Sequence, residues 1–211
     1  MIATAKGPDI VRLYDRLAPR YDRLHRRWLR HAGGEAQAAL EGAVRALMRP
    51  GMALLDAGCG TGRFARRLIA EGVRPQDMTL LDPAEAMLAR CADLQVERIA
   101  ARLERMPFAN GSFDLVTCAW ALETAVSRQA ALRELCRVLR PGGTLCLVFC
   151  ADAPCESSAA RLMRWSVERR GAGRFLSRET VGANLAEALG AEPCWMPCRG
   201  PVAACLARRD R

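Results

Sequence analysis

The chain has 211 residues, a formal charge of +9 and ten cysteines. That length suits one α/β domain with a sizeable core, and without an apolar run of about 18 residues a membrane-spanning helix is excluded. The N-terminal stretch MIATAKGPDIVRLYDRL lacks the uninterrupted apolar segment of a secretory signal, so the chain reads as soluble and cytoplasmic. Cysteines without a CxxC pair then argue against both a disulfide framework and zinc, and no metal is expected. Lys6 is the only lysine among 32 basic residues, a skew that genome composition explains better than nucleic-acid recognition.

In chain order, a first helix is expected with Asp9 as its cap and Ile10, Leu13, Tyr14 and Leu17 at helical spacing, interrupted at Pro19. A second, basic helix from Tyr21 to about His31 places Tyr21, Leu24 and Trp28 on one stripe and ends at Gly33-Gly34. Such amphipathicity suits a lid packed on its own domain or a segment lying on an anionic bilayer at the inner face of the membrane. A third helix, Glu35 to Met48, closes at Pro50-Gly51, so residues 1–50 read as a helical lid and 51–211 as the core.

From Met52 short apolar runs alternate with helical ones, the pattern of parallel βα units in a doubly wound sheet. Strands are expected at Ala53–Asp56, Met78–Leu81, Glu97–Ala101, Phe113–Cys118 and Thr144–Cys150. The intervening helices fall at Arg63–Glu71, Ala84–Arg90 and Arg128–Leu139. Beyond them come a helix over Ser157–Arg169, another capped by Ser177, and an antiparallel hairpin of Glu192–Met196 with Val202–Ala207.

The most informative stretch is LLDAGCGTGRFARRL, Leu54 to Leu68. In an open α/β sheet this loop lies at the carboxyl end of strand one, where ligands bind, and Gly58, Gly60 and Gly62 allow close backbone approach. GTGRFA also satisfies a dinucleotide pattern, so glycine spacing leaves NAD open. Asp56 shifts the balance, because a carboxylate there opposes a pyrophosphate yet suits the ammonium of S-adenosylmethionine (SAM). Asp82, ending strand two, is placed for ribose hydroxyls with either ligand, or simply caps the helix that follows.

Four ordered blocks now resemble the class I SAM-dependent methyltransferases: LLDAGCGTG, LLDPAEAML, RMPFANGSFDLVTCAWALE and ALRELCRVLRPGGTL. The resemblance is strongest to the small branch that includes ubiquinone/menaquinone C-methyltransferases and bacterial phospholipid N-methyltransferases. It implies a seven-stranded Rossmann-like sheet with the last strand antiparallel, SAM as cofactor and S-adenosylhomocysteine as product. It further implies that Asp56, Gly58, Cys59, Gly60 and Gly62 surround the methionine part, while Asp82, Pro83 and Met87 belong to the ribose segment. Arg102 and Leu103 would border adenine, Cys118 and Ala119 would floor the donor site, and Tyr14 and Tyr21 would close over it. Relatives often carry an aspartate for the adenine amino group where this chain has Arg102, which cannot accept a hydrogen bond. Adenine would then be read by the Leu103 backbone or by Glu104.

Methyl transfer is chiefly a matter of placement, and one nearby group can assist with a proton. Glu123 beyond strand four, Tyr21, and His25 one turn after it are the candidate catalytic residues. Glu123 reads equally as a solvated helix end. Cys118, Cys150 and Cys155 form a lesser candidate cluster for a thiol or metalloid acceptor. The expected acceptor is a small lipophilic molecule, quinone-like or lipid-like; the alternatives are a phospholipid headgroup, a SAM-binding protein without catalysis, and an NAD-dependent reductase.

Overall fold

The computed structural model describes residues 10–155 and 157–210; the expected cap at Asp9 lies outside them. Five strands run parallel: β1 (Leu54–Ala57), β2 (Met78–Leu81), β3 (Glu97–Ile99), β4 (Phe113–Ala119) and β5 (Leu139–Cys150). The C-terminal hairpin, β6 (Cys194–Met196) and β7 (Val202–Arg208), joins through β7, which is antiparallel to both β5 and β6. The sheet order is β3-β2-β1-β4-β5-β7-β6, so the chain reverses direction of travel between β1 and β4. A crevice forms at that point, beyond the carboxyl ends of both strands.

Successive side chains of a strand point to opposite faces, and both faces here are covered. On one face Leu55, Leu145, Leu147 and Phe149 pack with Leu132 and Leu135 of α5 (Arg128–Val138) and Leu185 of α7 (Arg178–Leu189). On the other, Leu54, Cys146 and Val148 pack with Leu40 and Val44 of α2 (Gly34–Leu47) and with Phe64 and Leu68 of α3 (Arg63–Ala70). Six cysteines are buried, behaving as small hydrophobes. The Ser177 hydroxyl accepts from the Thr180 amide at 3.1 Å and so caps α7.

The N-terminal region departs from expectation. One helix, α1, runs from Ile10 to Trp28 with Pro19 inside it, then passes through a wide turn at Leu29–Gly33 into α2. Proline removes one helical donor, but Ala18 on one side and Tyr21 on the other pack against Met87 and Ala84 at α4 (Glu85–Ala89), holding the helix through it. Nor does Gly33 end a helix. A Cβ on it would stand 2.6 Å from Trp28 Nε1 and 2.8 Å from the Trp120 ring, so its smallness serves the packing of two tryptophans.

Trp28, on the stripe that suited either a lid packed on its own domain or a bilayer segment, is turned inward, with ring contacts to Trp120 at 5.8 Å and Phe175 at 6.4 Å. Burial in the aromatic cluster is the packed alternative. Arg23, Arg26, Arg27 and Arg30 remain exposed, and among the described residues no helix is long and apolar enough to cross a membrane.

Replacing Pro19 by alanine restores the missing amide and removes the ring clash. Pro19→Ala is expected to raise stability, by up to about 3 kcal/mol, as an increase in the urea unfolding midpoint. A lower midpoint would show that the proline is required for the path of α1.

Candidate active site

The glycine loop is fixed to the end of β2 before it meets any ligand. The Gly58 and Cys59 amides both donate to the Leu81 carbonyl, at 2.7 and 3.0 Å, and the Gly60 amide donates to Asp82 Oδ2 at 2.9 Å. Gly58 has φ +80°, and a Cβ there would lie 2.2 Å from that of Ala121, so only glycine fits between β1 and the segment after β4.

Two cavities, each of about 50 Å³, lie on either side of Tyr21 above this loop. The first is lined by Tyr14, Gly58, Gly60, Asp82, Pro83, Arg102 and Leu103. Asp82 Oδ1 accepts from the Ala84 amide at 2.9 Å, so its two oxygens each hold one N–H. It keeps lone pairs for a further donor, and burial pushes its carboxyl up to about 6 despite those bonds. Glu104 also lines this cavity, with its Oε1 accepting from the Val126 amide at 2.6 Å. Arg102 is exposed at the rim, leaving Leu103 as the buried wall.

The second cavity is lined by Tyr21, His25, Asp56, Cys59, Arg63, Arg67, Ala119 and Trp120. Asp56 is 3% exposed and its Oδ1 accepts from the Thr117 hydroxyl at 2.9 Å. Burial raises its carboxyl to about 7, with that hydrogen bond opposing and Asp82 adding to the rise. His25 stacks on Tyr21 with ring centroids 5.6 Å apart, and burial beside Arg63 lowers it to about 4. It is therefore neutral at physiological pH. Trp120 has φ +59°, a left-handed conformation uncommon for a large side chain. Its Nε1 donates to Gln37 at 2.7 Å, Gln37 donates to Glu41 at 2.9 Å, and Glu41 accepts twice from Arg67.

Helix α1 covers both cavities. In the doubled Tyr-Asp pattern of LYDRLAPRYD, the tyrosines face the cavities while the aspartates hold α1 to the core. Asp22 accepts from the Thr61 hydroxyl at 2.6 Å and Asp15 from the Ala86 amide at 3.0 Å. The Tyr14 hydroxyl donates to the Ala172 carbonyl at 3.0 Å. Asp15, Asp22, Arg63 and the Gln37–Glu41 pair are site components that sequence reasoning missed. The paired spacing of the aspartates, seven residues apart, was the available signal for the first two.

Three of the residues expected around the cofactor line neither cavity. Met87 is fully buried under α1, where it anchors Ala18 and Tyr21. Gly62 faces Cys91, whose Sγ would be 2.7 Å from its Cβ. Cys118 points into the core, where burial pushes its thiol far up, leaving no accessible thiolate. Glu123, read as either a solvated end or an acid–base group, is 5% exposed, and burial raises it to about 7. It opens into a third, wider cleft, whose rim residues Ile10, Arg102, Thr124 and Ala125 also belong to the first cavity.

A methyltransferase-domain model matches residues 55–147. The chain is 34% identical over 179 residues to the malonyl-[acyl-carrier protein] O-methyltransferase of Enterobacter lignolyticus, covering 83% of this chain and 66% of that one. It is 30% identical to the ubiquinone/menaquinone biosynthesis C-methyltransferase UbiE of Geotalea daltonii, covering 69% and 64% respectively. The chain thus spans just under two thirds of these relatives' lengths. Among solved structures, a SAM-dependent methyltransferase of Thermotoga maritima superposes with a TM-score of 0.72 at 20% identity, covering 95% of this chain and 100% of that one. The cyclase SpnF superposes with 0.73 at 19% identity, covering 97% and 96%, a likeness of fold alone. Sheet order, glycine loop, family match and relatives converge: the chain belongs to the class I SAM-dependent methyltransferases.

Proposed function

We propose that the protein transfers a methyl group from SAM to a small lipophilic acceptor, quinone-like or lipid-like. The observation that carries this reading is the pair of cavities joined across one glycine loop, one ending at Asp82 and the other at the buried Asp56. In this reading Asp82 takes the ribose hydroxyls and Leu103 flanks the base. Asp56 takes the ammonium, and Arg63 is the nearby cation for the carboxylate. A dinucleotide fits less well, because its diphosphate would face buried acids on both sides of the loop.

Bound SAM supplies an electrophilic methyl: the acceptor's electron pair forms the new bond as the carbon–sulfur bond breaks and its electrons return to sulfur. The chain's part is to hold both reactants in line under Tyr14 and Tyr21, and to keep water out with Trp120. Glu123, shifted to about 7, is the group able to take up a proton from the acceptor near neutrality. Neutral His25 supports the Tyr21 ring. The relatives named for ubiquinone, menaquinone and malonyl-[acyl-carrier protein] support an acceptor with a lipophilic portion.

Calorimetry with SAM, S-adenosylhomocysteine and NAD separates the classes. Both sulfur nucleosides are expected to bind and NAD is not; no binding of either at millimolar concentration would sink the reading. Incubation with methyl-labelled SAM and a lipid extract is then expected to label a quinone-like or lipid-like product, whereas label on a phospholipid headgroup selects the alternative acceptor.

Asp56 also sets a pH dependence. Its carboxyl stands near 7 in the free protein, and an ammonium beside it stabilises the ionised form, so binding below that pH must release a proton. Affinity for S-adenosylhomocysteine is expected to fall by up to about tenfold per pH unit below 7. Asp56→Asn should weaken binding at pH 8 and flatten the slope. A slope that persists in this variant would assign the proton elsewhere.

A further inference from the structure

The third cleft, about 700 Å³ in volume, lies beyond the ends of β4 and β5. Among the described residues only two buried side-chain polar atoms lack a hydrogen-bond partner, Glu123 Oε2 and Arg128 Nε, and both residues line this cleft. Leaving such an atom without a partner costs its full desolvation, so two orphans on one cavity mark a place where a ligand completes the bonding.

The charge around them specifies its chemistry. Arg102, Arg128, Arg164 and Arg174 all line the cleft. Arg164 is committed, donating to Asp152 at 2.7 Å and to Glu168 at 3.1 Å, and lies over the Phe175 ring at 4.5 Å. Arg128 and Arg174 are not: neither has an ion pair among the described residues. Burial lowers Arg128, the Arg174 guanidinium adds to this and Glu123 opposes it. Two guanidiniums lining one cleft, neither held in an ion pair, can act as an oxyanion clamp, with Glu123 as the acid that faces Arg128. Glu123, which burial raises to about 7, is only partly ionised near neutrality, so it opposes an anion less than an ordinary carboxylate while keeping an ionised fraction that can accept a proton.

We propose that this cleft selects an anionic acceptor, whose carboxylate or phosphate monoester is held by Arg128 and Arg174 while its apolar body lies along Ile10, Ala125 and Phe175 towards the cofactor cavity. The proposal rests on the methyltransferase reading, for which this cleft is the acceptor side. It narrows a lipophilic acceptor to a lipophilic acid.

The test is calorimetric titration with octanoate, octyl phosphate and octanol, with and without saturating S-adenosylhomocysteine. At least one of the two anions is expected to bind about tenfold or more tightly than octanol, as a charge-assisted bidentate contact would give. Which anion does so identifies carboxylate or phosphate. Arg174→Gln, at an exposed position, and Arg128→Gln should bring the anion within about twofold of the alcohol, with Arg128→Lys retaining part of the preference. Unchanged S-adenosylhomocysteine affinity and unfolding temperature would show that the variants fold. Equal binding of anion and alcohol, or a preference that survives Arg174→Gln and Arg128→Gln combined, overturns the proposal. Loss of S-adenosylhomocysteine binding with the anion preference intact overturns only the cofactor reading.

Discussion

The site depends on one tether, the attachment of the glycine loop to the end of β2. Leu81 accepts two loop amides and Asp82 a third, so the loop's shape is set by the neighbouring strand before a ligand arrives. The same carboxylate accepts the Ala84 amide, tying the start of α4 into the arrangement. Asp82 is thereby a structural and a ligand-facing group at once. Its roles as turn-former and ribose partner, rivals on sequence grounds, are compatible because a carboxylate has more lone pairs than those two amides use.

Helix α1 is held to that tethered loop by apolar and polar contacts of different kinds. Ala18, Tyr14 and Tyr21 press on Ala84 and Met87, while Asp15 and Asp22 bond the Ala86 amide and the Thr61 hydroxyl. Each polar contact is a hydrogen bond to a carboxylate, worth about 1.5–3 kcal/mol net, and Thr61 also lines the second cavity. Helix α1 is therefore fixed over the cavities by packing and by carboxylate hydrogen bonds together.

The strands and the glycine loop were legible because each depends on local pattern: short apolar runs, and glycines between a strand and a helix. What failed depends on partners distant in sequence. Pro19 reads as a stop until α4 is placed beneath it, and Trp28 fits either a packed lid or a bilayer segment until Trp120 and Phe175 close around it. Glu123 presents the same difficulty. A lone glutamate after a strand is ordinarily solvated, and its burial arises from Gly173, where a Cβ would stand 3.0 Å from Glu123 Cγ. The Arg128–Arg174 neighbourhood spans 46 positions of chain and leaves no periodic trace.

Tyr21 links these features. Its ring stands 3.6 Å from where a Cβ of Gly60 would be, dividing the space above the loop into two voids of about 50 Å³ each. Ligand pockets for molecules of cofactor size are several hundred Å³, so a ligand spanning both acid-lined halves must lift that ring. His25 stacks on it and lies edge-on to Trp120, and the Asp22–Thr61 bond lies one residue away on the chain. The part of α1 that divides the two cavities is thus also the part bonded to the glycine loop, so one short segment both shapes the site and ties the helix to it.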